Sequence, residues 1–268
     1  MEILANYSEC GDGIENEDVI GYKGDYFWII DGATDLFNLD FFGCQDDVAH
    51  YVKQLSECIA GSVNNNLEMN KIIKKAIYMT NKILNLEVDN YYAYELPSFA
   101  ILFVKLEMNK CKYFVLGDCI LQIKNKSNII QIRDNRIKTF SKKNRVGFEE
   151  LKKNNKLNYF SEKKLYIDTR KYMNRIDGYW IGSADAKGLE HGIEGEVDTD
   201  QNTICLGYSD GLLEAFELFD VAKINKDIFD KKTLEKVVRQ LRELQQKDTQ
   251  RECTRVRVKD DLSYILVR

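Results

Sequence analysis

Residues Gly13 to Gly32, GIENEDVIGYKGDYFWIIDG, decide how this chain reads. Val19–Tyr22 and Tyr26–Ile30 have the composition of two strands, and Lys23-Gly24-Asp25 between them is a short glycine-containing turn. A three-residue loop pairs Tyr22 with Tyr26 and sets Glu17 opposite Asp31, whereas a two-residue loop moves Glu17 one place, to face Ile30. In both registers Glu17, Asp18 and Asp31 gather at one end of the hairpin, with opposed Cβ atoms roughly 4.5–5.5 Å apart. Like charges at that separation repel and need something positive between them. Lys23, at the far turn, is the only Lys or Arg in the first fifty positions. A divalent cation is the simplest remedy.

Taken alone, Asp31-Gly32 is only a turn, since both residue types suit turns for local reasons. Repetition changes its meaning. Cys111–Leu116 is an apolar strand ending in Gly117-Asp118-Cys119, where the glycine suggests a bulge that re-aims Asp118. Thr203–Ser209 is another strand, and it delivers Asp210-Gly211 into a helix with Leu212, Leu213, Phe216 and Phe219 on its core face. The chain closes on Arg255–Val258, Asp260-Asp261 and a last strand, Leu262–Val267.

Between these points the pattern is mixed α and β. Asp46 or Asp47 caps a helix buried through Val48, Tyr51, Val52, Leu55 and Ile59, and a second helix from about Leu67 buries Ile72, Ile73, Ala76, Ile77, Thr80, Ile83 and Leu84. Ser98–Leu106 is a nearly unbroken apolar strand, of the kind covered on both faces. Residues 134 to 178, rich in Lys and Asn, read as a basic exposed insert of loops with a short helix near Phe148–Lys153. Tyr179–Ile181 reads as a strand, Ser183 as a cap toward His191, and Thr233–Gln246 as a helix.

The 268 residues suit one domain, 1–268, and a single proline argues against a proline-rich linker. A net charge of -4 gives no reason to expect nucleic-acid binding. The distribution is uneven: residues 1–50 carry twelve Asp or Glu against one Lys, whereas Arg136 to Lys164 hold ten Lys or Arg against three Glu. Seven cysteines without a C-x-x-C pair indicate neither a zinc knuckle nor a redox motif. No run approaches a membrane span and the start lacks a signal-like apolar core, so a cytoplasmic protein with reduced thiols is expected. Two histidines, His50 and His191, leave little room for a zinc site.

All-oxygen carboxylate sites favour Mg²⁺ or Mn²⁺. Asn16-Glu17-Asp18, Ile30-Asp31-Gly32, Gly117-Asp118-Cys119, Ser209-Asp210-Gly211-Leu212 and Asp260-Asp261-Leu262-Ser263, in that order, resemble the metal-dependent, type-2C Ser/Thr protein phosphatases. Each motif is weak; five in order are strong. The resemblance implies an α+β four-layer sandwich of two antiparallel β-sheets flanked by helices. It implies hydrolysis of phosphoserine and phosphothreonine esters in a phosphorylated protein substrate, by a water bridging two Mg²⁺ or Mn²⁺ ions. By the same resemblance Asp31 would bridge both ions and Asp210 and Asp260 would hold the first, with Asp261 the alternative. Glu17 and the Gly32 carbonyl would hold the second, and Asp18 would orient water. Asp118, Asp210 and Glu214 would form an outer third site.

Several positions depart from the family. Gly13 stands where an arginine grips the substrate phosphate, and Ala33 where a histidine serves as general acid. Position 214 is Glu rather than Asp, and Pro97-Ser98-Phe99 replaces a small Gly-Thr-Thr entry. A phosphatase-like regulatory or metal-binding module without turnover is therefore the alternative. A haloacid-dehalogenase-like site is rejected, because its nucleophilic aspartate would fall on Ile29.

Overall fold

The computed structural model describes residues 1–63, 67–126, 128–253 and 257–268. In chain order the elements are β1 (Ile3–Glu9), β2 (Asp18–Lys23), β3 (Tyr26–Gly32), α1 (Asp47–Ser62) and α2 (Met69–Ile83). Next come β4 (Ser98–Glu107), β5 (Lys110–Leu116), β6 (Ile120–Asn125), β7 (Asn128–Arg133), α3 (Lys138–Lys153) and α4 (Tyr159–Arg170). Last are β8 (Gly182–Ser183), β9 (Ile193–Asp198), β10 (Ile204–Tyr208), α5 (Asp210–Glu217), α6 (Lys231–Lys247) and β11 (Leu262–Val267).

The strands form two antiparallel sheets. One has the order β1-β11-β10-β6-β7; the other runs β2-β3-β4-β5-β9, with β8 paired to β4. The alternation of side chains along β3 explains the layering. Trp28 and Ile30 point to α1 and α2, packing with Tyr51, Leu55, Ile73 and Ile77. Phe27 and Ile29 point the other way and meet Leu121, Ile123, Cys205 and Ile265 of the second sheet. That sheet's outer face carries Leu206, Tyr208 and Tyr264 against Leu212 of α5 and Leu234, Val238 and Leu241 of α6. The order helix, sheet, sheet, helix is the expected four-layer sandwich. It requires both faces of β3 and β4 to be apolar, and that is why their sequences are unbroken rather than alternating. Each large side chain removed from water here contributes roughly 1.5–3 kcal/mol.

The hairpin turn is shorter than the three-residue loop considered above. Gly24-Asp25 alone form it, with Gly24 at a φ of 60°, so Lys23 pairs with Tyr26 and Asp18 faces Asp31. Glu17 therefore moves toward Gly32 rather than toward Ile30, and its carbonyl accepts from the Gly32 N–H at 3.0 Å.

Asp46 caps α1, its carboxylate accepting from Ala49 N–H at 2.9 Å. The helix core faces are buried as read, except that Ile83 is exposed, Leu84, Phe216 and Phe219 are only partly buried, and Phe219 falls just past the end of α5. Strands β1, β7 and β9 have no counterpart in the sequence reading. Residues 134–178 hold two full helices, α3 and α4, where loops and one short helix were expected. Tyr179 makes an isolated bridge to Met173, and the strand itself begins three residues later, as β8. Only a 3₁₀ turn, Lys187–His191, follows, and Ser183 instead donates to Asp185 at 2.5 Å. Arg255 and Val256, from the Arg255–Val258 segment, lie outside the described residues.

Candidate active site

Four chain segments bring carboxylates to one end of the sandwich, where the two sheets meet. The end of β3 supplies Asp31, the β5–β6 corner Asp118, the first turn of α5 Asp210, and the approach to β11 Asp260. These four, with Gly32, Ala33, Thr34, Ala100, Ile137, Tyr166, Ile181, Arg170 and Arg257, line a cleft of about 190 Å³.

The β5–β6 corner is not a bulge within one strand. It is the point where the chain leaves one sheet for the other. Gly117 adopts a φ of 84°, and a Cβ there would stand 2.6 Å from the Ala100 Cβ. Only glycine makes this turn without strain, and the turn delivers Asp118 into the cleft.

The electrostatics are those of crowded like charges. Burial first, and then the charges of Asp18, Asp210, Asp118 and Asp260, push the Asp31 carboxyl well above the ordinary range. Asp210 is raised for the same reasons, burial first and then Asp260, Asp118 and Asp18. Asp118 and Asp260 are also raised, chiefly by burial. The neighbouring Cys119 thiol is pushed up too, by its burial first and then by the same group of carboxylates.

Glu17 and Asp18 are buried at the hairpin end. Burial pushes Glu17 up to about 8, although Arg257 and Thr34 oppose the shift. Asp18 is pushed up to about 7 by burial, against a hydrogen bond from Ser209 Oγ to its Oδ2 at 2.6 Å. Ser209 Oγ in turn accepts from Ser263 N–H at 3.0 Å, so Asp18 is fixed from beneath by β10 and β11. Ser209 and Ser263 both belong to the motifs quoted above, but the sequence did not join them to Asp18.

Asp261, the alternative to Asp260, does not line the cleft. Its two oxygens accept from Gly11 N–H and Glu17 N–H, each at 2.7 Å, so it ties the start of the chain to its end. Glu214 does not line the cleft; its Oε2 accepts from Gln245 Nε2 of α6 at 2.7 Å. Among the described residues, no three His, Cys, Asp or Glu side chains stand close enough to hold an ion as they are placed. The donor set still fits a hard cation: every group is an oxygen, and their mutual repulsion is what a divalent ion removes.

The cations of the site are not evident in the sequence. Arg257 Nη2 lies 3.2 Å from Glu17 Oε2 and donates to Thr34 Oγ1 at 2.8 Å, while Thr34 Oγ1 donates to the same Glu17 oxygen at 2.7 Å. Arg170, at the end of α4, donates to Ser98 Oγ at 2.7 Å and to the Thr34 carbonyl at 3.1 Å. A positive group thus sits beside Glu17 after all, brought from 240 residues away. The one available signal was Arg257 standing three residues before Asp260. Neither histidine lines the cleft: His50 is exposed on α1, and His191 stacks on Trp180 with ring centroids 3.4 Å apart.

Solved structures resemble this architecture over nearly its whole length. Mycobacterium tuberculosis serine/threonine phosphatase PstP superimposes with a TM-score of 0.57 at 12% identity, covering 98% of this chain and 96% of that one. PppA of Pseudomonas aeruginosa, a regulatory component of its T6SS, gives a TM-score of 0.58 at 15% identity over 98% and 96%. The PstP catalytic domain in complex with two manganese ions gives 0.55 at 11% identity, over 98% and 95%. This chain has the fold of the PPM-type Ser/Thr phosphatases. No family model matches the sequence, and no curated protein does. At such identities the likeness lies in the fold alone. No helix among the described residues is long and apolar enough to cross a membrane.

Proposed function

We propose that the cleft hydrolyses phosphoserine and phosphothreonine esters of proteins with the help of two, or with an outer site three, Mg²⁺ or Mn²⁺ ions. The observation that carries this reading is the convergence of Asp31, Asp118, Asp210 and Asp260 on one cleft, each raised in pKa. Perturbed titratable groups converging in a cleft mark functional sites.

In this reading Asp31, Asp210 and Asp260, with Glu17 and the Gly32 carbonyl, would hold the ions. Asp118 takes the outer site, with Glu214 a supporting group that would have to leave Gln245 to reach it. Divalent ions bound here would supply an activated water at neutral pH and neutralise charge on the phosphoryl group. Asp18, held by Ser209, would receive and orient a water proton. We propose that residues 1–268 act as one unit, with α3 and α4 as its basic insert, on a phosphorylated protein partner in the cytoplasm. Seven free cysteines suit a reducing compartment.

The test is Mn²⁺-dependent hydrolysis of p-nitrophenyl phosphate and of a phosphothreonine peptide, with Asp31→Asn as control. The reading expects turnover of both, abolished by Asp31→Asn with the fold intact by circular dichroism. Ala33 and the distance of both histidines from the cleft favour a second reading, a module that binds metal or phosphoprotein without turnover. Tight Mn²⁺ binding by calorimetry with no hydrolysis of either substrate would decide for it.

A further inference from the structure

The floor of the cleft is acidic and its walls are not. Arg257 and Arg170 both line it, and both are tethered to Thr34, one at the hydroxyl and the other at the carbonyl. They arrive independently, Arg257 from the segment before β11 and Arg170 from the end of α4. Their hydrogen bonds do not exhaust them. Arg257 Nη1 is shielded from solvent and has no hydrogen-bond partner. A buried, unspent guanidinium nitrogen beside a cleft is costly unless a ligand takes it up.

Gly13 shows where this guanidinium sits. A Cβ built on Gly13 would stand 3.0 Å from Arg257 Nη1, so any side chain at position 13 would press on it. Position 13 is the one at which an arginine was missed in the sequence. The space that residue would use is occupied by an arginine from the other end of the chain.

We propose that Arg257 and Arg170 form a two-arginine clasp for the phosphate group of the substrate, rebuilt from parts of the chain far from position 13. The inference rests on the phosphatase reading and deepens it. A phosphomonoester dianion has three terminal oxygens, and a guanidinium offers paired N–H donors that match two of them. With a divalent cation over the floor carboxylates, the phosphate would be held between the cation below and the arginines at the side. The carboxylates alone would repel it. Glu17 and Thr34 hold Arg257 in place, and Ser98 and Thr34 hold Arg170, so the donors are fixed before substrate arrives.

The experiment measures binding as well as turnover, using the full chain with Mn²⁺. Calorimetry with inorganic phosphate gives Kd, and p-nitrophenyl phosphate hydrolysis gives KM and kcat, for wild type, Arg257→Met, Arg257→Lys, Arg170→Met and Arg257→Met/Arg170→Met. A charge-assisted hydrogen bond supports a loss of roughly 10–100-fold in phosphate affinity for Arg257→Met, with partial recovery in Arg257→Lys, which keeps the charge and loses the fork. Arg170→Met, which leaves Arg257 untouched, should weaken phosphate as well and covers the case in which Arg257→Met fails to fold. Mn²⁺ affinity should not fall, because removing Arg257 frees Glu17. Unchanged phosphate affinity in both single variants would overturn the clasp, as would a wild type that binds no phosphate. A parallel loss of Mn²⁺ affinity would also overturn it, making Arg257 a support for the floor. The two readings fail differently. Mn²⁺-dependent phosphate binding lost in Arg257→Met, in a protein that hydrolyses nothing, would keep the clasp and remove the enzyme. Wild-type turnover with an indifferent Arg257→Met would do the reverse.

Discussion

Asp260 and Asp261 are neighbours in sequence with opposite jobs, and only the structure separates them. Asp260 lines the cleft among like charges, whereas Asp261 accepts two backbone N–H groups near the start of the chain. Asp261→Asn should therefore not be mild: weakening two charge-assisted bonds at a buried site should lose about 2–3 kcal/mol in urea unfolding. Asp260→Asn, measured without divalent cation at pH 8, should gain about 1 kcal/mol, because it removes a repelled carboxylate. A loss in both variants would mean that Asp260 is also structural. Gly13 reverses an expectation in the same way. From the sequence alone, Gly13→Arg supplies a missing cation and lowers KM. With Arg257 in that space, the substitution sets like charges together, and even Gly13→Ala must displace the guanidinium. Both variants should raise KM several-fold with kcat little changed, and a KM lowered by Gly13→Arg would show that the space is free. Sequence order could expose the gap at position 13 but not its filler, because a contact spanning 244 residues leaves no local pattern.

At the scale of elements, legibility followed burial. β3, β4, β5, β10 and β11 are covered on both faces, so their apolar runs announce them, and α1, α2 and α6 carry a helical stripe. Strands β7 and β9 are sheet edges, and β9 alternates half-buried and exposed residues around Glu194 and Glu196, a pattern no stronger than that of a polar loop. The helices of the insert are hard to see in the sequence for a related reason. Helix α4 has no fully buried residue, and α3 has only Phe140 and Phe148. What holds them is tertiary: Arg251, after α6, pairs with Glu162 of α4 at 2.5 and 3.0 Å, and its guanidinium lies 4.7 Å from the Phe148 ring of α3. Lys152 adds a bond to the Gln250 carbonyl at 3.0 Å. Composition alone sees the lysines and not this anchor. Glu162→Gln should therefore loosen the insert without touching the sandwich. Amide exchange in α3 and α4 should quicken about tenfold, the equivalent of about 1.4 kcal/mol for a partly buried Arg–Glu pair. Exchange in β3 and β4 should stay as it was. Equal acceleration in the core strands would show that insert and sandwich open as one unit.

For the whole molecule, the cleft is where the two sheets are pulled together or pushed apart. Asp31 belongs to one sheet, Asp118 to the corner between them, and Asp210 and Asp260 to the elements joined to β10 and β11 of the other. Pairing of β1 with β11, Ile3 opposite Val267, closes the two ends of the chain on the same body, so repulsion in the cleft acts across the entire fold. The pH dependence follows from the direction of the shifts. Glu17, at about 8, and Asp18, at about 7, are raised above their unfolded values of 4.5 and 3.8, and Asp31 and Asp210 are raised well above theirs. Between the unfolded and folded pKa values the folded chain binds more protons than the unfolded one, so stability falls as pH rises. The metal-free protein should accordingly be most stable near pH 5 and lose stability up to about pH 8. Each group held protonated only in the folded state contributes up to about 1.4 kcal/mol per pH unit. A divalent cation reverses the sign, since it binds the ionised carboxylates and stabilises the folded state more as the protons leave. Thermal unfolding at pH 5, 6.5 and 8, with EDTA and then with Mn²⁺, should give a Tm that falls with pH in the first series. In the second it should hold or rise. A Tm indifferent to pH under EDTA would mean that Arg257 already neutralises the cleft, leaving a cation no electrostatic work to do there.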